Sequence, residues 1–144
     1  IINGPADDVR QFTIYCHAMD TDDPKEYLTL DDASNNFSSF KASAGSPGSD
    51  ITTEYRKIRL NPSTLLVDIN DKTFADSTGA ISHPDLITVT SMTYGTAMDC
   101  GGVDSTSGTA KIDLTGTPFM VIDPFQGEVD PLIPGEDSIN GEIT

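Results

Sequence analysis

The chain has 144 residues, 36% of them hydrophobic, with 23 acidic and 8 basic side chains and a formal net charge of −15. That is enough apolar content for one cored domain of ordinary size. The charge argues against nucleic acid or an anionic membrane surface as partner, because phosphate binding needs clustered Lys and Arg, and no run approaches the ~18 consecutive apolar residues of a membrane helix.

Taken in chain order, the elements have a period of two. Phe12, Ile14 and Cys16 alternate with Thr13, Tyr15 and His17, the pattern of a half-buried strand. Strands are also expected over 27–30, 55–60, 64–69, 86–90 and 118–122, where Thr, Val, Ile and Tyr recur. Ala110, Ile112 and Leu114 alternate with Lys111 and Asp113 in the same way. A short helix or turn is expected within 31–40. Asn61-Pro62-Ser63 reads as a hairpin connection. Segments 42–50, 76–79 and 101–108 read as surface loops from their Gly, Ser, Pro and Asp content. No window shows a long amphipathic helix. The fold class expected is all-β or mainly β, an antiparallel sandwich-like domain over 1–122.

Residues 123–144 read differently. Pro124, Pro131 and Pro134 with Gly127, Gly135 and Gly141 break regular structure, yet Val129, Leu132, Ile133, Ile139 and Ile143 are large aliphatics. A disordered linker usually carries fewer of these. The segment is expected to be an extended tail that packs either on its own domain or on a neighbouring subunit, by a mode such as strand addition. Charge is uneven as well. Arg56, Lys57 and Arg59 sit together, whereas no base occurs from Asp113 to Thr144. A basic patch and an acidic end of this kind attract one another between subunits. The chain starts at Ile1, as expected of a processed product or of a fragment.

Cys16 and Cys100 allow one disulfide, whose long loop would stabilise by roughly 4–5 kcal/mol in the chain-entropy model; the alternative is two buried thiols. Asn36-Phe37-Ser38 is a glycosylation sequon. Asp20, Asp22 and Asp23 form one acidic loop cluster, and Asp68, Asn70 and Asp71 another. Calcium needs six to eight oxygens converging from such loops, so these six residues are its candidate ligands. The competing reading is ordinary Asx-turn chemistry. Only His17 and His83 offer an imidazole base, and no G-x-S-x-G elbow is present, so a small hydrolase is the weakest reading.

Several blocks, in order, resemble one family: Phe12-Thr13-Ile14-Tyr15-Cys16-His17-Ala18-Met19, then Pro24-Lys25-Glu26-Tyr27-Leu28-Thr29-Leu30, Asn35-Asn36-Phe37-Ser38, Tyr55-Arg56-Lys57-Ile58-Arg59-Leu60, Phe74, Tyr94-Gly95-Thr96-Ala97-Met98-Asp99-Cys100, and Ala110-Lys111-Ile112-Asp113-Leu114-Thr115-Gly116-Thr117-Pro118-Phe119. They are similar to the motifs of the GON domain, found at the C-terminus of secreted thrombospondin-repeat metalloproteases and in other extracellular proteins. The resemblance spans 11–121. It departs from the family in cysteine content, since family members are usually cysteine-rich and this chain has two. It implies an extracellular, non-catalytic domain associated with matrix or secretory-pathway proteins. The small single β domain, the apolar extended tail and the charge asymmetry lead to the function expected, a structural or assembly domain, the repeating subunit of a fibre or matrix joined through its tail. The alternative is a binding module for a glycan, mineral or matrix protein, helped by calcium.

Overall fold

The computed structural model describes residues 12–42, 48–82, 87–100, 107–121 and the strand Asn140–Ile143. Among these described residues are eleven strands in two sheets. β1 (Tyr15–His17), β2 (Lys25–Thr29), β5 (Lys57–Asn61) and β6 (Leu66–Asp68) form a four-stranded antiparallel sheet in the order β1-β2-β5-β6. β3 (Phe37–Lys41), β4 (Gly48–Tyr55), β7 (Ala75–Ser82), β8 (Thr88–Val89), β10 (Thr109–Ile112) and β11 (Asn140–Ile143) run in the order β11-β10-β3-β4-β7-β8, with β9 (Ala97–Asp99) also paired to β3. The fold is all-β, as the period-two pattern predicts. Two of its pairings, β10 with β11 and β3 with β9, are parallel.

The sheets share one main core. Leu28, Ile58 and Leu60 from the small sheet meet Tyr55 from β4, together with Leu30, Tyr94, Leu114 and Phe119. A second cluster of Phe40, Ile51, Ile81 and Met92 lies within the larger sheet. The chain passes between sheets at Arg56, where β4 ends and β5 begins. Its N–H donates to the Phe74 carbonyl at 3.0 Å, and its carbonyl accepts from the Leu30 N–H at 3.0 Å. Residues 55–60 are thus a corner rather than the single strand expected, a known way for a strand to change sheets. Asn61–Leu66 is a hairpin connection as expected. Asn61 Oδ1 accepts from the N–H groups of Ser63 and Thr64, which fixes the turn.

Three strands escaped the hydrophobic pattern. Segment 31–40 holds a single 3₁₀ turn, Ala33–Asn35, followed directly by β3. In β3 both Ser38 and Ser39 are buried. Ser39 Oγ accepts from the Thr109 N–H at 2.7 Å and donates to the Thr109 carbonyl at 2.8 Å, bridging β3 to the start of β10. In β4 the buried positions are Ile51, Thr53 and Tyr55. The Thr53 hydroxyl accepts the Met92 N–H at 2.8 Å and lies 2.9 Å from the Ser77 hydroxyl. The expected loop 76–79 belongs to β7, which pairs with β4 across a register shift between Ser49 and Thr52. Gly79 sits at that irregularity with φ +82°, where a Cβ would lie 1.8 Å from the Asp50 carbonyl oxygen. Pairing with β4 overrides the weak strand preference of Ser, Asp and Gly here. Conversely, residues 118–121 form no strand.

Of the expected tail 123–144, the described part is β11. It runs parallel to β10, with Thr109 opposite Asn140 and Ile112 opposite Ile143.

Candidate contact surface

Cross-strand partners share a face of a sheet. In the small sheet, Leu28 and Ile58 face the core, so the row Tyr15, Tyr27, Arg59, Asp68 and the row His17, Lys25, Asn61, Leu66 face outward. Phe74, from the β6–β7 connection, folds over this outer face. Its ring lies 4.8 Å from Tyr27, 5.2 Å from His17 and 5.5 Å from Tyr15, edge-on in each case. Such pairs contribute about 0.5–1.5 kcal/mol each beyond area burial. Lys57 Nζ stands 4.8 Å from the centre of the Tyr15 ring and 5.7 Å from that of Phe74, and reaches the Thr29 hydroxyl at 3.2 Å.

Tyr27 is fully buried beneath this cluster, and its hydroxyl donates to Asp71 Oδ2 at 3.1 Å. Burial foremost pushes the Tyr27 phenol up from its ordinary value. Burial also works to raise the Asp71 carboxyl, but hydrogen bonds from the Thr73 main chain and hydroxyl and from Tyr27 outweigh it and hold Asp71 below the usual carboxylate range. The upper layer stays open: Tyr15 is 42% exposed and Leu66 67%. A depression of about 310 Å³ runs along β5 and β6 and takes in residues of both faces, Arg59, Leu66 and Asp68 with Glu26, Leu60 and Val67. The surface therefore combines rings, an aliphatic side chain, the cations Lys25, Lys57 and Arg59, and the carboxylates Asp23, Asp68 and Asp71.

The acidic clusters are placed as follows. Asp20, Asp22 and Asp23 lie in the β1–β2 connection, with Asp23 3.7 Å from Lys25. Asp68 accepts the Asn70 N–H at 3.1 Å and stands 3.6 Å from Arg59, while Asp71 accepts the Thr73 N–H at 2.9 Å. The Asp68 and Asp71 contacts to main-chain N–H groups two residues on are Asx turns, and among the described residues no three His, Cys, Asp or Glu side chains gather in a metal-holding group. His17 packs edge-on against Phe74 and Tyr27. His83 lies outside the described residues.

Two sequence expectations are corrected. Cys16 and Cys100 are free thiols, not a disulfide. Cys16 is exposed opposite Glu26 in the small sheet, whereas Cys100 follows β9 and packs on the second cluster of the other sheet. Asn36 is no exposed glycan acceptor; it is fully buried. Its Nδ2 donates to the Asp32 carbonyl at 2.9 Å, and its Oδ1 accepts from the Tyr94 hydroxyl at 2.9 Å and from the Asp113 N–H at 3.0 Å. The folded domain leaves no room for a glycan on that nitrogen.

The rings of the outer face went unread as a site. Alternation marked Tyr15 and His17 as one side of a strand, but nothing local to Phe74 announces that it folds over them.

These features define a two-sheet, all-β domain with an aromatic outer face that carries charges of both signs. Residues 8–45 match the family model of the GON domain, over about a quarter of the chain. The match contains β1, β2 and β3 and agrees with the motif blocks in that range; the later blocks lie beyond it. The GON domain is an extracellular domain type. A search of curated proteins and a search of solved structures returned no match. Among the described residues no helix is long and apolar enough to cross a membrane.

Proposed function

We propose that the chain is a non-catalytic extracellular structural domain that associates with further copies of itself through its C-terminal region, as the subunit of a fibre or matrix. The observation that carries this reading is the parallel pairing of β11 with β10. The end of the chain completes a sheet edge, and one chain joins another by the same main-chain chemistry when it donates a strand. The GON match supports the extracellular setting.

Light scattering on the full-length chain, from micromolar to millimolar concentration, tests the reading. The expected result is a molar mass that grows past the monomer. A second measurement locates the contact. Ala110 and Gly141 are opposite one another in the β10–β11 register, so Ala110→Cys with Gly141→Cys is expected to give covalent dimers and higher species on oxidation. A monomer at all concentrations, with cross-links only inside one chain, would overturn the proposal.

A further inference from the structure

The outer face of the small sheet holds three of the chain's eight basic residues, Lys25, Lys57 and Arg59. In a protein of net charge −15 this face is close to charge balance, with Asp23, Asp68 and Asp71 set against the three cations, and local charge governs contact, because at physiological salt charges interact over only about 8 Å. Two of the three cations have carboxylate neighbours, Lys25 with Asp23 and Arg59 with Asp68. Lys57 does not: among the described residues it meets only the Tyr15 and Phe74 rings and the Thr29 hydroxyl. It is a cation held over aromatic rings, with no ion-pair partner among the described residues.

The chain contains a segment with the complementary chemistry. Between 123 and 137 it carries Asp123, Glu128, Asp130, Glu136 and Asp137, no base, and the aliphatics Val129, Leu132 and Ile133. Fully extended, fifteen residues span at most about 50 Å, ample for crossing four strands spaced about 4.8 Å apart. Mixed acidic and aliphatic composition suits a face that mixes cations with rings and Leu66. A uniformly charged polyanion suits it less, since it would meet Asp23 and Asp68 beside two of the three cations.

We propose that this face receives the acidic segment 123–137 of a second copy, with carboxylates about Lys57 and aliphatics against Tyr15, Phe74 and Leu66. This rests on the assembly reading above: a segment that leads to a strand donated to a neighbour passes over that neighbour.

The test uses full-length protein and charge exchange. Lys57→Glu is expected to weaken self-association about tenfold. Glu128→Lys with Asp130→Lys is expected to do the same. A mixture of the two variants is expected to regain association, because the reversed charges now face one another across copies. Lys57 is partly exposed, and circular dichroism and melting of each variant confirm that it is folded. If wild type associates and Lys57→Glu associates equally well, the face is not the receiving surface, while the assembly reading stands. If wild type stays monomeric, the assembly reading has failed and this inference with it. If Lys57→Glu abolishes binding of a sulfated polysaccharide probe yet leaves self-association intact, the face is a glycan site and the proposed occupant is wrong.

Discussion

Replacing Asn36 by alanine is the most informative perturbation of the fold. The side chain makes three hydrogen bonds: it donates to the Asp32 carbonyl and accepts from the Tyr94 hydroxyl and the Asp113 N–H. Truncation strands these partners. Tyr94 is 7% exposed, and a buried polar group left unpaired costs about 1–3 kcal/mol. With Asp32 and Asp113 nearer solvent, a total of about 3–5 kcal/mol is expected, a large share of the roughly 5–15 kcal/mol that holds a domain together. Tyr94→Phe removes the hydroxyl along with its need for a partner, so about 1–2 kcal/mol is expected. In the double variant no hydroxyl is left to strand, and the two losses should fall short of additivity by about 1 kcal/mol or more. Urea unfolding of the four proteins, followed by circular dichroism, gives all three quantities. A loss below about 1 kcal/mol for Asn36→Ala, or strict additivity, would refute the buried-hub account.

Three further outcomes are expected. Gly79→Ala should destabilise by about 2–4 kcal/mol, since it combines a positive φ with a clash against backbone; an unchanged urea midpoint would contradict the β4–β7 pairing. Burial pushes the Tyr55 phenol up from 10.0 to about 12 and raises Tyr94 further in the same direction. A raised acid is neutral in the fold, so its contribution is whole below pH 10 and is lost as pH climbs toward 12, at about 1.4 kcal/mol per unit for each phenol; flat stability through that window would sink the assignment. Finally, Cys16 should react quickly with a thiol reagent in the native protein and Cys100 slowly, with no change of melting temperature on adding reductant. A melting temperature that falls with reductant would restore the disulfide.

How far the sequence could be read depends on where the physical cause lies. β5 and β10 carry alternation that local sequence displays, because their buried positions are filled by Ile, Leu and Ala, whereas β2 buries the neighbours Tyr27 and Leu28 and β1 buries none of its three residues. β3, β4 and β7 do not display it, because Ser38, Ser39, Thr53 and Ser77 take inward or bridging positions and are satisfied by hydrogen bonds to β7, to Met92, to Thr96 and to Thr109. Only the partner strand makes such residues strand-like. Asn36 misled for a related reason. A sequon states which residues are adjacent, whereas the fate of its amide is decided by Tyr94 and Asp113, far along the chain. The outer face was half legible. The basic run Arg56, Lys57, Arg59 stood out, but Arg56 turns away to pair with Asp76, and Lys25 joins from another strand.

The corner at Arg56 has a consequence for how events at the surface would be noticed elsewhere. Successive amides there are tied to opposite parts of the domain: the Tyr55 N–H donates to the carbonyl of the buried Asn36, and the Arg56 N–H to the carbonyl of Phe74 on the outer face. Anything that steadies Phe74 steadies a peptide plane one residue from the interior hub. The Arg56 amide is therefore a built-in gauge: its hydrogen exchange should slow when the outer face is covered and quicken when it is bare, reporting occupancy without a label on either partner.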